Sequence, residues 1–425
     1  MGYPGQRVEN RFIWFKKWIL ERQTFKTLSQ DSGFQPSFFV IAFQASDRAG
    51  NLFRGYIKVS PYLYHHCCVI VVVVYQCIEN IENRYFWWLY NSLTGTKTYN
   101  RMHSWKTDLI VTPAVPIQLN DPIATFGSCF ADVIGNYLAT NKFNTLTNPF
   151  SSVYNPISIH RILQLICRKE MPVEMDFVKS QGVFFHYQFH SSFYDSSPEA
   201  LKEKIFAQIK LAHDYLKRCR IVIITYGTTF VYRRTDTQMI VANCHKIPSS
   251  LFTKELLSVN EILNSANETI TLLRNLNPEI RIITTISPVR HTKDTLSLNS
   301  VSKSILRLCT HELQSSSVDY FPAYEIMMDD LRDYRFYQQD RIHPTKEAED
   351  YIWQKFVQTY FDAETTTFLN EWKEVKHALA HRAQFPSTPA HQSFLKATLS
   401  RLQRLQHKVD VGNEIAFVTN QIITP

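Results

Sequence analysis

The sequence predicts an α/β fold, a three-layer α/β/α sandwich with a mostly parallel sheet, extended by a C-terminal helical hairpin. Two observations carry the prediction. Short, almost wholly apolar runs recur at Ile123 to Phe126, Arg220 to Thr225 and Arg281 to Ile286, with stretches of helical period between them. Each run ends in small or turn-forming residues, at Gly127-Ser128, Gly227 and Ser287-Pro288. Strands that stay apolar through both faces belong to a parallel sheet covered by helices on both sides.

The elements follow in order. After Gly127-Ser128, residues Ala131, Ile134 and Leu138 recur at helical spacing, so the first unit is strand, turn, helix. A second helix is expected from Pro198 to Cys219, with Leu201, Ile205, Ile209 and Ala212 on one face, leading into the strand at 220–225. A third runs from Ile262 to Leu276 into the strand at 281–286, and helices Val301 to Leu313 and Pro344 to Phe361 complete the alternation. Pro344 is expected to start the last of these. The tail from Thr365 to Val411 reads as two helices joined by Phe385-Pro-Ser-Thr-Pro389, with Leu395, Leu399, Leu402 and Leu405 forming one apolar stripe.

Composition bounds the function. A chain of 425 residues with 44% hydrophobic and 20% charged residues buries a sizeable core, which excludes intrinsic disorder. Its 11 glycines never cluster in threes, which excludes a Walker A loop and a dinucleotide-binding fingerprint. The net charge of +8 sits mostly at the front, where residues 1–101 hold 12 basic and 6 acidic residues against 34 and 32 in the remainder. The body is nearly neutral, so no basic groove for nucleic acid is expected. Eight cysteines without a CxxC pair give no zinc ribbon and fit a reducing compartment, and the expected location is the cytoplasm. No sequence feature gives the oligomeric state.

Three segments are expected: residues 1–101, an aromatic-rich extension holding 21 of the 57 aromatics; residues 102–362, a catalytic domain; and residues 363–425, a helical segment. The ordered pattern begins after Met102, which reads as the natural start. The alternative location is a membrane anchor through the uncharged residues 59–78. Pro61, His65, His66 and Gln76 interrupt it, and its continuous apolar core, Cys67 to Tyr75, is short for a bilayer. The valine run at 69–74 suits a buried strand instead.

Ligands in such sheets bind at the carboxyl ends of the strands, which is where the polar motifs fall. Ser128 follows a strand and precedes a helix, a position suited to a nucleophile and equally to an ordinary helix cap. Asp340-Arg-Ile-His343 places a carboxylate and an imidazole three residues apart, as a base and the partner that orients it. Ala242-Asn-Cys-His-Lys-Ile-Pro248 offers Asn243 as an oxyanion donor, His245 as a substrate contact and Cys244 as a rival nucleophile. His186 with His190, and His377 with His381, have i,i+4 spacing but no further ligand nearby, so no metal site is expected.

Gly127-Ser-Cys-Phe-Ala131 resembles the motif that names the GSCFA family. Asn148-Pro-Phe150, Tyr154-Asn-Pro156, His190-Ser191, Asn243-Cys-His-Lys246, Ser287-Pro-Val-Arg290, Phe321-Pro-Ala-Tyr-Glu325 and Asp340 to Pro344 agree with it across 102–361. The family looks like a branch of the SGNH (GDSL-like) hydrolases. That resemblance implies a serine esterase or O-acyl transferase acting through an acyl-serine on a small or saccharide ester, without a cofactor. Ser128 would be nucleophile, His343 base and Asp340 its partner; the Ser128 amide and Asn243 would hold the oxyanion, and Asn148, His190 and His245 the substrate. Two departures stand out: Gly227-Thr-Thr229 replaces the usual GxND block, and Ser151 stands where relatives often carry glycine. They leave open a non-catalytic module that binds a glycan or peptide.

Overall fold

The computed structural model describes residues 39–46, 52–59, 109, 111 and 115–423. Its internal contacts divide the chain into two units, Met1–Trp105 and Lys106–Pro425. In the first, strands β1 (Phe39–Ser46) and β2 (Leu52–Val59) pair antiparallel, Phe39 opposite Val59. The apolar segment beyond Val59 and the Met102 start lie outside the described residues. No helix among the described residues is long and apolar enough to cross a membrane.

The second unit is built on strands β3 (Ile123–Gly127), β4 (Thr145–Thr147), β8 (Ile221–Tyr226), β12 (Arg281–Ile286) and β13 (Val318–Phe321), all parallel, in the spatial order β13-β12-β8-β3-β4. Side chains alternate between the sheet's faces. Ala124, Phe126, Val222, Ile224, Ile282 and Ile286 join one buried cluster, while Ile123, Ile221, Ile223 and Ile283 join the other. The first cluster is closed by helices α2 (Pro156–Arg168), α3 (Pro198–Leu216), α4 (Val259–Leu276) and α5 (Thr295–Glu312). The second is closed by α1 (Cys129–Thr140), α6 (Lys346–Tyr360) and the tail helices. This unit is therefore the three-layer α/β/α sandwich that the sequence predicts.

The helix starts follow local chemistry. Ser197 accepts the amide of Ala200 with Pro198 in the first turn, and Ser258 with Glu261 forms a reciprocal capping box. One start differs from expectation: α6 begins at Lys346, because the Thr345 side chain accepts the Ala348 amide while Pro344 bridges to Tyr337 outside the helix. The two expected tail helices are present as α7 (Ala363–Ala380) and α8 (Pro389–Leu405), and a further helix follows them, α9 (Gly412–Thr419), whose Val418 is buried in the same cluster. Eight residues are too few to display a helical period in sequence.

Two small antiparallel sheets, absent from the sequence reading, occupy the loops between the main elements. One is β5 (Phe177–Ser180), β6 (Val183–His186) and β7 (Tyr194–Asp195); the other is β9 (Phe230–Arg234), β10 (Ile240–Val241) and β11 (Phe252–Leu256).

Candidate active site

Gly127 ends β3 at φ +130°, and a Cβ there would lie 2.1 Å from the Thr225 carbonyl oxygen, so only glycine lets β3 approach β8 this closely. Ser128 follows at the N-cap position of α1, its amide donating to Thr225 O at 3.0 Å. Its side chain caps nothing. The residue is 1% exposed, and Oγ is buried without any hydrogen bond. An ordinary capping serine would spend that hydroxyl on an amide of the first turn. This one is held free at the carboxyl end of the strand.

Asn148 holds the turn from the side. It sits at φ +36°, and its Oδ1 accepts the Gly127 amide at 3.1 Å while Nδ2 donates to the Gly127 carbonyl at 3.3 Å. Both ends of its amide are thus used on backbone. The chain then crosses the strand ends: Val153 N–H donates to Gly127 O at 2.8 Å, and Tyr154 O accepts the amides of Gly227 and Thr228. Ser151 adopts φ +59°, and its amide is spent on Asn148 O. Its hydroxyl meets Ser192 Oγ at 2.8 Å, and Ser192 in turn meets His190 Nδ1. His190 therefore borders this loop.

Asp340 and His343 form a pair. Asp340 Oδ2 lies 2.7 Å from His343 Nδ1, and Oδ1 accepts the amides of Ile342 and His343. The imidazole and those amides hold the Asp340 carboxyl down at about 2, so it is ionised at neutral pH. Both side chains are partly exposed, at 41% and 45%, and His343 makes no hydrogen bond to Ser128. Their loop is fastened to the end of β12: Arg290 N–H donates to Ile342 O, and its guanidinium lies 3.8 Å over the Tyr337 ring.

Asn243 and His245 are hydrogen-bonded to each other. Asn243 Oδ1 accepts the His245 amide at 2.8 Å, and the His245 ring stacks on Phe185 with Nε2 against His186 O. No hydrogen bond connects either residue to Ser128 or to the Asp340 and His343 pair. Burial pushes His245 down to about 4 and the Cys244 thiol up to about 11, the opposite of a reactive thiolate. His186 spends both ring nitrogens, on Val173 O and the Gln188 amide.

The sequence reading missed Lys303 and His291. Lys303 is 1% exposed, and Nζ donates to Gly227 O at 2.8 Å and Ser287 O at 2.7 Å, tying together the ends of β8 and β12. Burial lowers it to about 7. It is also close enough to Cys129 to oppose the rise that burial and Asp132 impose on that thiol. His291 has its Nε2 buried without a partner and is pushed down to about 3 by burial, with Lys303 and His343 adding to the effect. The available signals were a lysine on the inward stripe of α5 and a histidine directly after Ser287-Pro-Val-Arg290. A cavity of about 520 Å³ among His381, His391 and Phe417 in the tail includes none of these residues.

The GSCFA family model matches residues 122–356, and the model of the GSCFA domain protein C-terminal domain matches residues 372–424. No curated protein matches the chain. Similar solved structures include one described as a platelet activating factor from Streptococcus pneumonia, at 13% identity and TM-score 0.29, covering 59% of this chain and 86% of that one. A carbohydrate esterase family 3 protein from Talaromyces cellulolyticus aligns at 8% identity and TM-score 0.28, covering 60% and 99%. An acetyl xylan esterase from the rumen bacterium Butyrivibrio proteoclasticus aligns at 11% identity and TM-score 0.29, covering 57% and 64%.

Proposed function

The chain belongs to the GSCFA family, and we propose that it is a serine-dependent ester hydrolase or O-acyl transferase acting on a small ester or an acylated saccharide. The observation that carries this reading is the Ser128 hydroxyl, buried at a strand end and used by no element of the fold. Burying an unpaired hydroxyl costs about 1–3 kcal/mol, and a nucleophile kept free for substrate accounts for that cost at this strand end. In the proposed reaction Ser128 Oγ attacks the ester carbonyl carbon as His343 Nε2 takes its proton. The Asp340 carboxylate holds the Nδ1–H and stabilises the imidazolium. The carbonyl reforms, the bond to the alcohol breaks, and the alcohol leaves with the proton from His343. Water, or an acceptor hydroxyl in a transferase, then attacks the acyl-serine with His343 again as base, the acyl–Oγ bond breaks, and His343 returns the proton to Ser128 Oγ. Attack requires the loop at 338–344 to bring His343 onto Ser128 when substrate binds, since apo catalytic hydrogen bonds are often formed only in the complex.

A second reading is favoured by how the expected donors are used: the amides of Ser128 and Ser151 are spent on Thr225 and Asn148. A non-catalytic module would keep the crevice and hold a glycan or peptide there. Intact mass after incubation with a fluorophosphonate separates the two. One adduct, lost in Ser128→Ala and His343→Ala, supports the hydrolase; a folded protein with no adduct refutes it and leaves the binding module.

A further inference from the structure

An acyl-serine mechanism needs donors for the oxyanion, and both backbone amides nearest the candidate nucleophile are already used. The Ser128 amide donates to Thr225 O and the Ser151 amide to Asn148 O, while Asn243, whose Oδ1 accepts the His245 amide, makes no hydrogen bond to Ser128. His291 is different. Its backbone amide is anchored on Asn299 Oδ1 at 2.9 Å, and its ring stands edge-on to Tyr154 with centroids 5.7 Å apart. These contacts fix the ring and leave Nε2 buried without a hydrogen bond. Gly227 makes room for it, since a Cβ at that position would lie 3.2 Å from His291 Nε2 and 3.0 Å from Tyr154 O.

The position is central to the strand ends. Gly227 directly follows β8, whose Thr225 carbonyl holds the Ser128 amide, and the Lys303 ammonium that grips Gly227 O is in electrostatic reach of His291. His343 is in electrostatic reach as well. Other charged or titratable groups around this end of the sheet are Cys129, Asp132 and Tyr154. We propose that His291 is a catalytic residue of this site, its Nε2–H donating to the oxyanion that forms as Ser128 attacks, in place of the asparagine donor that the chain lacks after β8. This rests on the acyl-serine reading. A ring that burial keeps uncharged carries one proton, and a neutral imidazole can polarise a carbonyl without surrendering it.

The test is the rate at which a fluorophosphonate labels Ser128 in the full chain. In that reaction the Oγ–P bond forms, fluoride leaves, and the serine proton passes to His343, while the phosphoryl oxygen occupies the oxyanion position. His291→Phe keeps a flat ring beside Tyr154 without a donor, and His291→Gln keeps an N–H. The proposal predicts labelling slowed about a hundredfold in His291→Phe, with His291→Gln recovering most of the rate and all three proteins retaining a cooperative thermal transition. Parental labelling in His291→Phe, or equal slowing in His291→Gln, overturns the donor role while the serine mechanism stands. Absence of labelling in the parent itself overturns both.

Discussion

Lys303→Met removes a buried ammonium from the centre of the candidate site while preserving most of its aliphatic volume. In the folded protein burial lowers Lys303 from 10.5 to about 7, whereas in the unfolded chain it returns to its ordinary value. Between those limits the unfolded state binds more protons than the folded one, so stability rises with pH across that window. Below pH 7 both states are protonated and the full penalty applies; above 10.5 neither is, and it is gone. At 1.36 kcal/mol per unit, a shift of that size is worth about 5 kcal/mol. The two carbonyls that accept from Nζ favour the ammonium and make this figure a ceiling. The variant leaves those carbonyls unpaired, a cost of about 1–3 kcal/mol each that does not depend on pH. Urea unfolding of parent and Lys303→Met at several pH values gives the difference, in which other titrating groups largely cancel. The difference should climb in the parent's favour by several kcal/mol from pH 7 to 10. A flat difference would refute the claim that burial shifts this lysine.

Two further substitutions probe how the site is held. Asn148→Ala strips both bonds from the Gly127 backbone and should destabilise by about 2–4 kcal/mol, with slower labelling of Ser128, read by urea unfolding and by mass. Loss of labelling with unchanged stability would instead assign Asn148 a direct contact with the reacting groups. Arg290→Met removes the cation over Tyr337 and should cost about 0.5–2 kcal/mol while slowing labelling more than that loss of fold explains. Unaltered labelling would show that the Asp340 and His343 loop does not depend on it.

The three central strands of the main sheet were readable because they carry their own signal, whereas the edge strands β4 and β13, three and four residues long, were not. Arg281–Ile286 matches the expected strand residue for residue, and Ile123 to Phe126 falls one short of the observed end, since Gly127 still pairs with Thr225. The two antiparallel sheets escaped because their strands are only two to five residues long, so no alternation accumulates before the chain turns. The candidate nucleophile and the Asp340 and His343 pair were readable as motifs, since each lies within one turn of chain. Their separation was not, because hydrogen bonding between residues more than two hundred positions apart depends on how a loop sits. For the same reason the sequence does not show that Asn243, reasonable by its polar surroundings, turns its Oδ1 to the His245 amide and makes no hydrogen bond to Ser128. Lys303 and His291 meet at Gly227 only through the packing of α5 against the ends of β8 and β12.

The most direct test of the central claim is to locate the fluorophosphonate adduct within the tryptic peptide 107–142, which contains both Ser128 and the adjacent Cys129. The account predicts a stable adduct on Ser128, abolished by His343→Ala. An adduct on Cys129, or a Ser128 adduct that forms equally well without His343, would contradict it.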